Sequence, residues 1–266
     1  MSKPTAIQIA AMTVATVAVV VGASGAQAEP TPVKNIVLVH GAFVDGSGWR
    51  PVYDILTHDG YHVSMVQEPL SSLTDDVAAT RRIVDLQNGP VILVGHSYGG
   101  AIITEAGANP KVVGLVYIAA HAPDQGETQS QNAKKYPALG RNAIMPVADG
   151  YVRLDPAQFH AEFAADIPSD EAAFDADAQG VTSSSGFSEL ITVAAWRTKP
   201  TWYMVAGADH IINPDLERWY AARMQSRKVV EVPGASHSVF HSHPKEVAAL
   251  IEEAAQGAAA NPSVSK

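Results

Sequence analysis

Short, unbroken apolar runs separated by amphipathic stretches set the plan of this chain. Residues 35–40 (NIVLVH), 62–66 (HVSMV), 91–94 (VILV), 112–119 (VVGLVYIA), 201–206 (TWYMVA) and 228–232 (KVVEV) are dense in Val and other strand formers. Runs this short and this apolar predict strands buried on both faces, as in a parallel sheet. Between them the apolar spacing turns helical, over residues 49–56, 74–86, from Gly100 onward, and 244–255. Asp75 and Asp76 fall in the first turn of the second of these, where the helix dipole favours acids, and Ser242 is a candidate N-cap for the last. Strands alternating with helices predict an α/β fold: one six-stranded, mostly parallel sheet flanked by helices.

The alternation stops between residues 120 and 195, which are polar or alanine-rich with helical stretches near 155–165 and 169–179. This predicts an inserted helical cap, about residues 121–195, within one domain of residues 29–256, followed by a flexible tail over 257–266. A cap that follows a strand's carboxyl end covers the edge where open α/β sheets bind ligands.

The first 28 residues carry one charge, Lys3, then a mostly apolar run over 10–23 and the small-x-small pattern Ala26-Gln27-Ala28. That predicts a signal peptide cleaved near Ala28 and export to a periplasm or the medium. The chain has no cysteine, so neither a disulfide nor a lipid-bearing cysteine is available. Net charge is −9, and −10 once Lys3 leaves with the leader. With no basic run, nucleic acid and anionic membrane surfaces are repelled, which leaves a small molecule as the expected partner.

The most chemically specific segment is Gly95-His96-Ser97-Tyr98-Gly99, between the strand at 91–94 and the helix that opens at Gly100. A strand that reverses into a helix across a single serine strains the backbone there, and side chains two residues before and after would collide. Glycine fills both positions. The hydroxyl is held clear of the sheet at a helix N-terminus, a nucleophile elbow. Such a serine needs a base and a group to orient that base. Asp209 and His237 each follow a predicted strand, so all three would meet at one sheet edge in the chain order Ser, Asp, His. Asp124, past the strand at 112–119, is the rival acid, and Asp215 after Pro214 fits a helix start. His40 and His96 flank the site and suit a structural role bonded to loop backbone. His237, His241 and His243 have metal-like spacing, but Pro233, Gly234 and Pro244 break any element that would make them converge.

The stretches VLVHGAFVDGSGW, VILVGHSYGGAIITEAG, LVYIAAHAPDQGE, WYMVAGADHIINPDLERWYAARM and EVPGASHSVFHSHPKEVAALI, spread over residues 36–251, resemble the α/β-hydrolase superfamily. They are most similar to its compact bacterial and plant branch of methyl esterases and hydroxynitrile lyases. The resemblance implies an α/β-hydrolase fold, with Ser97 as nucleophile, His237 as general base and then acid, and Asp209 as its orienter. It also implies an oxyanion hole from the backbone N–H groups of Ala42 and Tyr98, and no cofactor or metal. Phe43 and Tyr98, beside those donors, are the expected pocket-lining residues. Trp49, Phe159, Phe163, Phe174, Phe187 and Trp196 also lie near the loops.

The expected activity is a carboxylesterase acting through an acyl-enzyme on Ser97. Lactone or amide hydrolysis, C–C cleavage and perhydrolysis remain open on the same triad, as does ligand binding on a hydrolase scaffold. The lyases of that branch carry a threonine where this chain has Ala42, which argues against cyanohydrin cleavage.

Overall fold

A computed structural model describes residues 1–2 and 32–259. The expected cleavage site at Ala28 lies outside the described residues, as do residues 260–266 of the expected tail. Among the described residues no helix is long and apolar enough to cross a membrane.

In chain order the elements are β1 (Asn35–Val39), α1 (Arg50–His58), β2 (His62–Met65), α2 (Leu73–Asp85), β3 (Val91–Ser97), α3 (Gly99–Ala106) and β4 (Val112–Ala120). Then come α4 (Gln129–Ala133), β5 (Ile144–Pro146), β6 (Tyr151–Leu154), α5 (Pro156–Phe163), α6 (Ser169–Ala178) and β7 (Thr182–Ser183). The chain closes with β8 (Thr201–Ala206), α7 (Pro214–Arg223), β9 (Lys228–Val232), α8 (Val239–Ser242) and α9 (Pro244–Ala259). Six strands form one sheet in the order β2-β1-β3-β4-β8-β9, and every pair is parallel.

Successive residues of a strand point to opposite faces, and here both faces are covered. Val37, Val39, Leu93, Tyr117 and Tyr203 share one core with Val77 of α2, Ile102 of α3 and Leu216 of α7. Their neighbours Ile36, Leu38, Ile92, Val94, Val116 and Met204 share the other with Leu56 of α1 and Leu250 and Ile251 of α9. The chain leaves β1 toward one side for β2 and returns to the other for β3. The order therefore reverses between β1 and β3, and the carboxyl ends of those two strands border the crevice where such sheets bind ligands.

Between β4 and β8 the cap is not purely helical as expected. It also holds an antiparallel sheet, β5-β6-β7. The cause is the Asp149-Gly150 pair, with φ of 56° and 81°, across which Tyr151 N–H donates to Ala148 C=O (3.0 Å). That two-residue turn suits a hairpin's twist and closes β5 onto β6. Two further expectations are corrected. α9 continues through Gly257 to Ala259, so the expected tail starts too early. Ser242 ends α8 and caps nothing; His243 C=O takes the first helical bond, from Val247 N–H.

The turn after β3 leaves no room for side chains at its glycines. A Cβ on Gly95 would lie 2.6 Å from Gly99 C=O, and one on Gly99 would lie 2.6 Å from His40 C=O and 2.8 Å from Val39 C=O. Backbone is the obstacle in each case, so it cannot rotate away. Gly99→Ala is expected to cost about 2–3 kcal/mol, read as a lower urea midpoint. An unchanged midpoint would show that the elbow has slack.

Candidate active site

Ser97 ends β3 with φ of 54°, in the left-handed region that a serine enters only when the surrounding structure holds it there. The strain turns its hydroxyl out of the sheet. Gly41, just past β1, lets that loop close on the serine, since a Cβ there would sit 2.6 Å from Ser97 Cβ. His237 follows β9, and its Nε2 lies 2.8 Å from Ser97 Oγ. Its Nδ1 lies 2.5 Å from Asp209 Oδ2. Asp209 follows β8, and its other oxygen accepts the N–H groups of Ile211 (2.6 Å) and Ile212 (2.8 Å). Both side chains are fully buried. Asp209 keeps all its bonds with nothing left for solvent, and the imidazole is held with Nδ1–H toward the acid and Nε2 free to accept from serine.

The rival acid lies elsewhere. Asp124 takes a bond from Arg197 Nε at 2.7 Å, away from His237. Asp215 sits in the first turn of α7, its N–H accepted by the Asn213 cap (2.9 Å). His241 pairs with Glu171 (3.0 Å) and Asp175 (3.2 Å), and His243 contacts Asp166 (3.7 Å), so neither converges with His237. Among the described residues no group of three or more His, Cys, Asp or Glu could hold a metal.

Ala42 and Tyr98 flank Ser97, and among the described residues neither N–H has an acceptor. Two free donors beside a nucleophile can hold a developing oxyanion. Tyr98 is fixed through its ring, whose hydroxyl donates to Asp76 (2.9 Å). Asp76 was expected merely to complement a helix dipole. It is wholly buried, takes Leu70 N–H as well (2.8 Å), and burial pushes its pKa up to about 6.

The two flanking histidines differ. His96 Nε2–H donates to His237 C=O (3.0 Å), and burial pushes the His96 pKa well below the ordinary histidine value. His40 does bond backbone, at Gly41 C=O (2.8 Å), but Nε2 also meets the buried Glu68 carboxylate at 2.6 Å. Burial opposes a proton on His40, Glu68 outweighs it, and the pKa lies above the ordinary histidine value.

Sequence reasoning missed two other parts of the site. Glu217, on α7, is fully buried behind Asp209 and accepts Ala206 N–H (3.0 Å). Burial, then the nearby Asp209 carboxylate, pushes its pKa well above the ordinary carboxylate range. The cap grips the histidine loop through α5: Ser238 N–H donates to Phe163 C=O (3.0 Å) and Ser236 N–H to Asp166 (3.0 Å). The Phe163 ring stands edge-on to the His237 ring, centroids 4.7 Å apart.

Above Ser97 lies a cavity of about 500 Å³, bordered by Ala42, Phe43, Tyr98 and His121 from the core and by residues 129–144 of the cap. Phe187, Ile211, Ile212 and Leu216 complete its apolar wall. His121 is neutral, since burial lowers its pKa to about 3. Of the other loop aromatics, Trp49 packs on Phe240 under the sheet, Phe159 stacks on Phe163, Trp196 lies beneath Arg197 and Arg223, and Phe174 is exposed.

Residues 36–250 match the family model described as the alpha/beta hydrolase family. The chain belongs to that family. This alpha/beta hydrolase is 26% identical over 255 residues to Salicylic acid-binding protein 2 of Nicotiana tabacum, a match covering 84% of this chain and 97% of that protein. It is 36% identical over 110 residues to the carbendazim hydrolyzing esterase of a Nocardioides species, covering 35% of this chain and 45% of that protein. A crystal structure of a pyrethroid hydrolase superposes with a TM-score of 0.72 at 23% identity, covering 85% of this chain and 99% of the other. This alpha/beta hydrolase is an enzyme of the hydrolase class, and a protein named as an esterase is among those it resembles.

Proposed function

We propose that this alpha/beta hydrolase cleaves a carboxylic ester of a small to medium substrate through an acyl-enzyme on Ser97. What carries the proposal is one unbroken chain, Asp209 to His237 to Ser97, that ends on a strained serine beside two unsatisfied amides. His237 Nε2 takes the Ser97 proton as Oγ bonds to the ester carbonyl carbon. The carbonyl oxygen becomes an anion held by the N–H groups of Ala42 and Tyr98, each worth roughly 3–4 kcal/mol in such a role. Collapse breaks the C–O bond to the alcohol, which leaves with the proton from His237. Water then repeats the cycle: His237 takes its proton, hydroxyl adds to the acyl carbon, and the acid leaves as Ser97 Oγ regains the proton. Asp209 orients the imidazole throughout, itself held by the Ile211 and Ile212 N–H groups.

The test is a panel of p-nitrophenyl esters from acetate to palmitate with an aryl lactone, alongside labelling by a fluorophosphonate. Turnover is expected to peak at acyl chains of about four to eight carbons, which a cavity of this size encloses. One phosphonate is expected per chain, on the peptide holding Ser97. A folded protein that turns over no ester and takes no label, or takes it elsewhere, would sink the proposal. Export after cleavage near Ala28 is a further part of it, supported by the residue pattern of the first 28 positions.

A further inference from the structure

The wall of the catalytic cavity has the opposite charge to the protein around it. The chain carries 27 acidic and 18 basic residues, yet none of the cavity's lining residues is Asp or Glu. Two are cationic, Lys134 and Arg141, both exposed on the cap rim. Among the described residues neither has a carboxylate partner, whereas Arg50, Arg197, Arg218 and Arg223 each hold one. The strap that carries them is tied to the Asp209 loop at two points. Gly140 N–H donates to His210 C=O (2.6 Å) and Asn213 Nδ2 donates to Pro137 C=O (3.2 Å). The two cations are therefore presented on the border of a cavity with no acidic lining residue, whose wall includes the apolar side chains of Phe43, Ile144, Phe187, Ile211, Ile212 and Leu216.

We propose that Lys134 and Arg141 form a subsite for a carboxylate at the far end of the substrate. The preferred substrate class is then an ester with an apolar middle and an anionic terminus, such as a half-ester of a dicarboxylic acid. The inference rests on the esterase chemistry at Ser97 and adds to it the charge of the group bound farthest from the scissile bond. The net negative charge opposes the approach of such a substrate, but beyond a Debye length of about 8–10 Å that field is largely screened, while an ion pair in contact at the rim lies inside that length and is weakened only as salt is raised further. Guanidinium and carboxylate also match as paired hydrogen-bond forks.

The experiment compares mono-p-nitrophenyl esters of glutaric, adipic and suberic acid with p-nitrophenyl pentanoate, hexanoate and octanoate. Each pair matches in acyl carbon number and differs in the terminal carboxylate. The readout is the ratio of kcat/KM, half-ester over neutral ester. At least one pair is expected to give a ratio above one at low salt. In Lys134→Gln/Arg141→Gln that ratio is expected to fall about five- to tenfold, through a higher KM for the half-ester, and 0.5 M NaCl is expected to erode it similarly. Lys228→Gln, on the exposed β9 edge, changes net charge by one unit away from the cavity and is expected to leave the ratio unmoved. Turnover that requires Ser97 with a ratio below one for every pair, or with a ratio blind to the double substitution, would overturn the subsite alone. Absence of Ser97-dependent turnover of any ester would overturn the esterase proposal and the subsite with it.

Discussion

Ser97→Ala is expected to lower kcat for p-nitrophenyl butyrate by about 10⁴- to 10⁶-fold. The His237 Nε2 lone pair faces Ser97 Oγ at 2.8 Å, and removing that oxygen leaves the base with no nucleophile to activate. What survives is the contribution of the cavity and the two amide donors, which can still polarise an ester toward attack by water. The fold is expected to persist, because alanine meets the same backbone strain as serine at φ 54° and is smaller. Steady-state kinetics at saturating ester and a urea titration read the two halves of this result. A variant that keeps a tenth of wild-type kcat, with the contaminating activity of a mock purification subtracted, would remove Ser97 from the mechanism. Loss of activity together with collapse of the urea midpoint would show a structural role instead.

Asp209→Asn is expected to cost about 10⁴-fold in kcat with little change in KM. Here too the lesion is chemical. An asparagine Oδ1 can still accept the N–H groups of Ile211 and Ile212, so the loop stays in place. Its amide nitrogen then faces His237 Nδ1 as a donor, which reverses the hydrogen bond. The imidazole must accept at Nδ1 and carry its proton on Nε2, where it points at Ser97 and can no longer receive a proton from it. Raising the pH does not repair this, since the fault is the tautomer and not the protonation state. A variant whose activity recovers at alkaline pH through Nε2 would contradict the orienting role of Asp209.

The strands and the elbow were readable from local pattern because local pattern causes them. Val-rich runs bury on both faces wherever they fall, and the Gly-x-Ser-x-Gly spacing follows from a steric collision within five residues. The loop acid and base could be placed because each follows a strand, and strand ends of a parallel sheet share an edge. Asp76 and Glu217 were not readable for the opposite reason. At the level of sequence each is an acid near a helix start, indistinguishable from the exposed Asp75 and Asp215 beside them. Their burial is decided by Tyr98 and Asp209, which approach from other elements. The hairpin in the cap did have a local signal, Asp149-Gly150, but it lies amid exposed residues with no apolar alternation to flag its strands.

The cap leaves the sheet at β4 and re-enters it at β8, and these two strands are hydrogen-bonded neighbours. An insertion whose ends are already side by side can change length with little penalty, since each doubling of a loop adds only about 0.6 kcal/mol of closure entropy. Ser97 and the oxyanion amides come from β3 and from the loop after β1, on which such a change does not draw. Heritable freedom is nevertheless uneven within the insertion. The stretch from Phe163 to Asp166 supports the His237 loop and has to travel unchanged. The strap with Lys134 and Arg141 is tied to the Asp209 loop only through backbone groups of Pro137 and Gly140, so a lineage can exchange its two charged side chains, and with them what the enzyme accepts, without relearning how it reacts.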